Sequence, residues 1–414
     1  MKHLIIKNLG PISAIDMDIK RINLLIGPQS SGKSTILKTA CYCTWVEKRI
    51  SIEQNFQKFE EPGYFEKTFV TFHKLEGFIR KDTLIEYESD IMKFSFTKTT
   101  ENFQFEWKNR WDYQKSKISY IPAERNMVAA IPNWFEVKLA NNNIWNFMAD
   151  WEMARKNFTE QKKLDILNLG VRYFYDPNTK GDKVQVDKEQ FLDFTNTSSG
   201  LQSLIPLYVF LNYFTGLFFL KDDNESSIME AEMDKQLKQI LSKEFISHVT
   251  NDLYFSLPYN HVVPILNNPE RIKKLNSVIS NFTKASYCNI FLEEPEENLF
   301  PLTQRDLVNA LVEMINGDRK HNLFITTHSP YIMASFNNLI QAGDVLAEDE
   351  SKSESLEKIL PLSLVLNYEE VGAYTVKEGH LYPIMDDEMK LISPTELDAV
   401  SDEISIQFGK LLEL

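Results

Sequence analysis

Two groups of residues in this 414-residue sequence have the types and spacing that phosphate chemistry requires. The first is Gly27, Gly32, Lys33 and Ser34, spaced GxxxxGKS within RINLLIGPQSSGKST. A polyphosphate needs backbone N–H groups aimed at it, and small residues let the backbone come that close. The run Gly27, Pro28, Gln29, Ser30, Ser31, Gly32, Lys33, Ser34 and Thr35 offers both. Lys33, expected to be an exposed loop lysine, would reach the outer phosphates, and the Ser34 hydroxyl would bind Mg²⁺. The second group is Glu293, Glu294 and His328, at the polar ends of two apolar runs, YCNIFLEEPEEN and LFITTHSP. Glu293 is placed to hold Mg²⁺ or its waters and Glu294 to polarise an attacking water. A neutral imidazole at His328 can donate or accept at a terminal phosphate. The blander readings are a solvated strand end for the glutamates and a structural role for the histidine. Glu296 and Glu297 have the weaker case, as residues that shape the turn.

These side chains need elements that hold them. The phosphate loop sits between a buried strand, Ile22 to Ile26, and a helix opening at Lys33, the context the motif requires. Before it, LIIKN and Ile15 to Ile19 read as strands around a turn at Gly10 and Pro11. Between 67 and 107, FVTFHKL, TLIEYES, KFSFTKT and FQFEW alternate and are expected to form an antiparallel sheet with one wet face. ISYIPAERN is a short apolar strand that leaves Glu124 and Arg125 at its end, either for function or for a salt bridge within the loop.

Residues 134–169 have helical spacing, and VRYFYDPNTKGDKVQVD reads as a hairpin turning at Pro177 to Gly181. In TNTSSGLQSLIPLYVFLNYF, serines and a glycine precede a helix with Leu201, Leu204, Ile205, Tyr208 and Leu211 on its apolar face, which Pro206 should kink. Residues 221–282 are charged and read as mostly helical. The glutamate strand, a helix through Leu307, Ala310, Leu311 and Met314, and the histidine strand make an α/β signature, with their polar ends at one edge of a sheet. Residues 347–358 read as a solvated acidic loop. A capping box at Ser393, Pro394 and Glu396 opens a last helix with Leu397, Val400, Ile404, Phe408 and Leu411 as core or partner contact.

With 43% hydrophobic residues the chain can build a large core, and its net charge of −14 confines any nucleic-acid contact to a local basic patch. Cys41, Cys43 and Cys288 lie in apolar segments without metal-ligand spacing, as reduced thiols of a cytoplasmic protein would. Neither a signal peptide nor a membrane span is expected. Internal repeats and long heptads are missing.

Taken in order, the P-loop, SSGLQ at a helix start, a strand ending EEPE and a strand ending THSP resemble the ABC-type ATPase heads of the SMC, RecF and OLD proteins. The resemblance covers most of the chain. It implies an α/β P-loop NTPase fold of ABC-ATPase type, with a mixed central sheet, an antiparallel β part and a helical signature subdomain. The expected division is 1–132 and 283–345 for the nucleotide-binding core, 133–282 for the signature subdomain, and 346–414 for an acidic loop with a β/helical tail. The resemblance further implies that Ser198 to Gln202 match the signature motif, with the Ser199 hydroxyl, Gly200 and Gln202 meeting ATP bound by an opposite subunit. Glu293 then matches the Walker B acid, Glu294 the catalytic glutamate and His328 the switch histidine, in an ATP- and Mg²⁺-dependent homodimer or higher homo-oligomer.

The chain departs from that pattern in places. Glu293 stands where the family has aspartate, and Leu201 where LSGGQ has its second glycine. Gln104, Gln114 and the strand end at Arg125 all remain candidates for the Q-loop position. The long coiled coil of SMC proteins, the zinc hook of their repair relatives and the acidic cluster of the Toprim domain fused in OLD proteins are all missing from the sequence. The nearest likeness is to the small stand-alone ABC-type ATPases of bacterial phage-defence systems such as PARIS and Septu. That likeness implies an ATPase switch controlling a separate effector, such as a nuclease. A RecF-type ATPase that binds DNA directly is the alternative, and a transporter's soluble ATP-binding subunit is a third reading.

Overall fold

The computed structural model describes residues 2–131, 140–220, 269–393 and 405–412. Its strands are β1 (Lys2–Leu9), β2 (Ile12–Ile19), β3 (Ile22–Ile26), β4 (Ile79–Glu88), β5 (Met92–Thr97), β6 (Asn102–Trp107), β7 (Ser116–Ile121), β8 (Leu164–Asp165), β9 (Arg172–Asp176), β10 (Gly181–Gln185), β11 (Phe191–Asp193), β12 (Tyr287–Glu293), β13 (Asn322–Thr327), β14 (Val371–Lys377), β15 (His380–Pro383), β16 (Met385–Asp386) and β17 (Leu391–Ile392), the last two paired with each other. The longer helices are α1 (Lys33–Glu53), α2 (Tyr64–His73), α3 (Asn143–Arg155), α4 (Ser199–Thr215), α5 (Pro269–Thr283), α6 (Pro301–Ile315) and α7 (Pro330–Glu348).

One mixed sheet of eleven strands runs β6-β5-β4-β1-β2-β15-β14-β3-β13-β12-β7. Its β6-β5-β4-β1-β2 half is antiparallel, and its β14-β3-β13-β12-β7 half is parallel. β15 joins the halves, antiparallel to β14 and parallel to β2 at the single pair His380–Ala14. Composition explains the division. In β5, Met92, Phe94 and Phe96 are buried while Lys93, Ser95 and Thr97 alternate with them, the pattern of a strand with one wet face. β12 and β13 are buried at every position after the first, as parallel strands covered on both sides must be.

Because successive side chains point to opposite faces, the parallel half feeds two cores. Leu24, Ile290, Leu292 and Ile325 join one with α3, α4, α6 and α7. Leu25, Phe291 and Phe324 join the other with Ile36, Leu37, Ala40 and Val46 of α1. A second sheet, β11-β10-β9-β8, packs through Tyr173 and Val184 on the first core, with the Tyr173 ring 5.9 Å from that of Trp151. The expected hairpin is there as β9 and β10, closing at Asp176–Gly181. The three cysteines are free and buried. Residues 199–220 are long and apolar enough to cross a membrane, and 56% of the apolar 18-residue window within them is buried inside the protein.

Several expectations are corrected. FVTFH is not a strand; it lies in α2, where Phe65, Phe69 and His73 recur four apart and are buried. Among the described residues of 134–169 the helical pattern holds only for α3, and residues 156–163 run as turn into β8. The acidic loop is partly helical, since α7 continues to Glu348 and a short helix spans Ser353–Glu357. Pro206 lies inside α4, which is assigned as one helix from Ser199 to Thr215. The capping box at Pro394 and Glu396 lies outside the described residues. Phe408 and Leu411, on the helix at 405–412, are each 61% exposed and so are not core.

Candidate nucleotide-binding site

β3 delivers the chain into the loop, and α1 begins at Lys33 with Gly32 as its N-cap. Gly32 has φ +108°, and a Cβ there would stand 2.3 Å from Ile12 Cδ1, so only glycine fits. No side chain caps α1 and its first turn holds no acid, which leaves its N–H groups and positive dipole end for an anion. Pro28, Gln29 and Ser30 are exposed, Ser34 is half-buried and Thr35 is buried. Ser31 Oγ is buried without a hydrogen-bond partner.

Lys33 corrects the expectation of an exposed lysine, because it is only 5% exposed. Its Nζ donates to the carbonyl oxygens of Gly27 and Pro28, each at 2.8 Å. Burial pulls its pKa down to about 8, against the opposing pull of Glu294 and Glu296. An uncapped helix start, an unpaired buried hydroxyl and a lysine curled onto its own loop fit a polyphosphate. Among the described residues no group of three or more His, Cys, Asp or Glu gathers as a metal site. Ser34 and Glu293 with phosphate oxygens are the kind of sparse oxygen set that Mg²⁺ accepts.

The parallel register brings the strand ends level: Glu293 pairs with Thr326, Thr326 with Leu25, and Thr327 with Ile26. Glu293 is buried and accepts from Ala123 N at 3.3 Å. Glu294 turns the chain in a left-handed conformation, φ +43°, with its N–H on Thr326 O at 2.8 Å. Its Oε1 is 3.5 Å from Nε2 of His328. Glu296, assigned only to the turn by its sequence position, accepts from His328 N at 2.5 Å, while its other oxygen is buried and unpaired. Nothing in the sequence separates Glu296 from Glu297, and only the turn geometry does so.

The residues expected to form the signature motif, Ser198 to Gln202, lie at the start of α4. Ser198 caps the helix, its Oγ accepting from Leu201 N, and both Ser198 and Ser199 are exposed. Gln202 is engaged within the chain, its amide donating to Thr195 O and Thr197 O at 2.9 and 3.0 Å. The first turns of α4 sit on the turn after β12: a Cβ on Gly200 would be 3.1 Å from Asn298 O, and Asn298 Nδ2 donates to Ser203 Oγ at 2.9 Å. At the end of β7, Arg125 is 1% exposed and lies 3.8 Å from Glu297, and the exposed Glu124 lies 3.7 Å from Lys74.

No protein-family model matches the sequence, and no curated protein matches it. Solved structures do resemble it. The SMC head domain from Thermotoga maritima is 10% identical with a TM-score of 0.39, over 92% of this chain and 98% of that one. The MJ1267 ATP-binding cassette of an ABC transporter is 13% identical with a TM-score of 0.29, over 94% of each chain. The recombination mediator protein RecF is 10% identical with a TM-score of 0.28, over 92% of this chain and 97% of that one. At these identities and TM-scores none of them assigns a role to a residue of this chain. By its own topology the chain is a mixed α/β fold in which the GxxxxGKS loop lies between β3 and α1 and the ends of β12 and β13 come level beside it.

Proposed function

We propose that this protein binds and hydrolyses ATP and acts as a nucleotide-dependent dimeric switch that controls a separate effector in bacterial phage defence. The observation that carries the ATPase reading is the parallel register, Glu293 with Thr326 and Thr327 with Ile26, which brings the carboxylates at the end of β12 level with the loop that opens into α1 at Lys33. Lys33 neutralises the outer phosphates once it leaves the Gly27 and Pro28 carbonyls. Glu294 takes a proton from the attacking water, and His328 orients the Glu294 carboxylate. Ser34 and Glu293 would hold Mg²⁺, which supplies positive charge against the phosphates when bound.

Three exposed apolar residues support the dimer: Phe300, Leu302 and Tyr331, at 74%, 52% and 53% exposure. They cluster at the first turns of α6 and α7, which Ser329 Oγ and Gln304 Oε1 tie together at 2.5 Å, beside Glu296 and His328. The exposed Ser199 reaches the other subunit's phosphates. The effector and the defence role rest on the likeness of motif order to PARIS- and Septu-type ATPases.

The test is ATP turnover by the purified chain together with its mass in solution with and without ATP. Turnover that is lost in Lys33→Ala, with an ATP-dependent doubling of mass in Glu294→Gln, is expected. A wild-type chain that neither binds nor turns over ATP refutes the reading. Strong, salt-dependent DNA binding by the chain alone would favour the RecF-type alternative.

A further inference from the structure

Glu294 is an L residue held at φ +43°, a conformation that persists only where its surroundings over-determine it. Two groups grip its peptide. Thr326 O accepts from its N–H, and its own carbonyl accepts from Nη2 of Arg125 at 2.8 Å. The same guanidinium reaches further. Nη1 donates to Glu293 O at 2.9 Å and to Pro122 O at 3.4 Å, and Nε donates to Ser203 O at 3.1 Å. Arg125 therefore joins the end of β7, the end of β12 and the first turns of α4. Its charge is answered by Glu297, 3.8 Å away.

We propose that Arg125 is the positioning residue of this site: it fixes the backbone of Glu294 and ties it to the helix that carries Ser199, so that a displacement of α4 displaces the Glu294 carboxylate. This rests on the ATPase reading above. The guanidinium suits the task because its donors are rigidly spaced in one plane, so it cannot follow Ser203 without moving Glu294. A second contact works in the same direction, since Asn298, four residues after Glu294, holds the Ser203 hydroxyl and lies against Gly200. Whatever meets Ser199 is in this way reported to the water-polarising carboxylate within the same chain. A purely structural Arg125 would satisfy the same carbonyls without this consequence, and kinetics separate the two.

The experiment uses the full chain as wild type, Lys33→Ala, Arg125→Lys, Arg125→Gln, Glu294→Gln and Arg125→Lys/Glu294→Gln, with folding checked by circular dichroism. An ammonium cannot bridge the four carbonyls, so Arg125→Lys should keep the KM for ATP within about twofold and lose about 10²-fold in kcat, the scale of a small misplacement of a catalytic group. In the Glu294→Gln background, read by single-turnover hydrolysis, the same change should cost nothing further. Unchanged kcat in Arg125→Lys, or an equal fold-loss in both backgrounds, overturns the proposal. So does the absence of folded protein for both Arg125 variants, because a residue required for any native state is a fold determinant. Wild-type turnover that is absent, or that survives in Lys33→Ala, overturns the ATPase reading and this inference with it. Turnover lost in Lys33→Ala but intact in Arg125→Lys overturns this inference alone.

Discussion

His328 Nε2 stands 3.5 Å from Glu294 Oε1, while the backbone N–H of His328 is held by Glu296 at 2.5 Å. The imidazole is thus set by one carboxylate and aimed at another. Glu294→Gln keeps the side chain's size but removes the group that takes the proton. We expect turnover to fall by about 10²–10⁴-fold with ATP binding retained. Glu293→Gln should instead raise the Mg²⁺ concentration needed for half-maximal turnover. Equal, mild losses in the two variants would be incompatible with the separate roles given to them.

If Lys33 meets the phosphates as proposed, ATP binding should be sensitive to alkaline pH. Its pKa in the free protein is lowered to about 8, and a bound polyphosphate favours the charged form and raises it. Well below pH 8 the lysine is already charged and binding takes up no proton. Above pH 8 binding must protonate it, so affinity falls by up to about tenfold per pH unit. Calorimetric titrations on either side of pH 8, in buffers of different ionisation enthalpy, read both the fall and the proton uptake. A flat profile would mean that Lys33 does not meet the phosphates.

If each ATP lies between Lys33 of one subunit and Ser199 of the other, two inactive chains can repair each other. Mixing Lys33→Ala with Ser199→Arg gives a hybrid dimer with one doubly damaged site and one intact site. Activity should then return toward about a quarter of wild type at equal mixing, half of the dimers being hybrid and each having one site. Mixtures proven to contain hybrids, yet inactive, would rule out independent sites shared between chains.

Gly343, inside α7, tests the packing beneath the histidine strand. A Cβ there would stand 1.9 Å from Leu366 O and 2.9 Å from Leu366 C, and backbone cannot step aside as a side-chain tip can. A helix-interior Gly→Ala ordinarily stabilises by about 1 kcal/mol. Here Gly343→Ala should destabilise by about 1–3 kcal/mol through overpacking. Urea unfolding measures the sign, and a gain in stability would contradict the close contact of α7 with the chain at Leu366.

The strand ends were legible because apolar runs that stop at EEPE and THSP have one sensible place in a parallel sheet. The hairpin at Pro177 to Gly181 was legible from turn chemistry. FVTFH misled because its aromatic and β-branched residues mimic a strand, although Phe65, Phe69 and His73 already carried the four-residue repeat of α2. Lys33 could not be read as buried, since its cover is its own loop's carbonyls. Arg125 was visible as a charge at a strand end, but its partners at Ser203, Glu293 and Glu294 are brought to it only by the parallel pairing of β7 with β12 and the seat of α4. Gln202 matched a motif, and the structure turns its amide inward to Thr195 and Thr197.

The neighbours of the phosphate-loop strand also set an order of events during synthesis. β3 hydrogen-bonds to β13 and β14, and Leu323 is 301 positions beyond its partner Ile22 (323 − 22). A chain leaving the ribosome therefore carries the glycine loop long before the strands that flank it exist, and closing so long a loop is slow. The Lys33 motif is thus made well before the strands that complete its part of the sheet. A nascent chain that stops before Val371 lacks one flank of β3, so the strand that leads into the glycine loop is then paired on one side only.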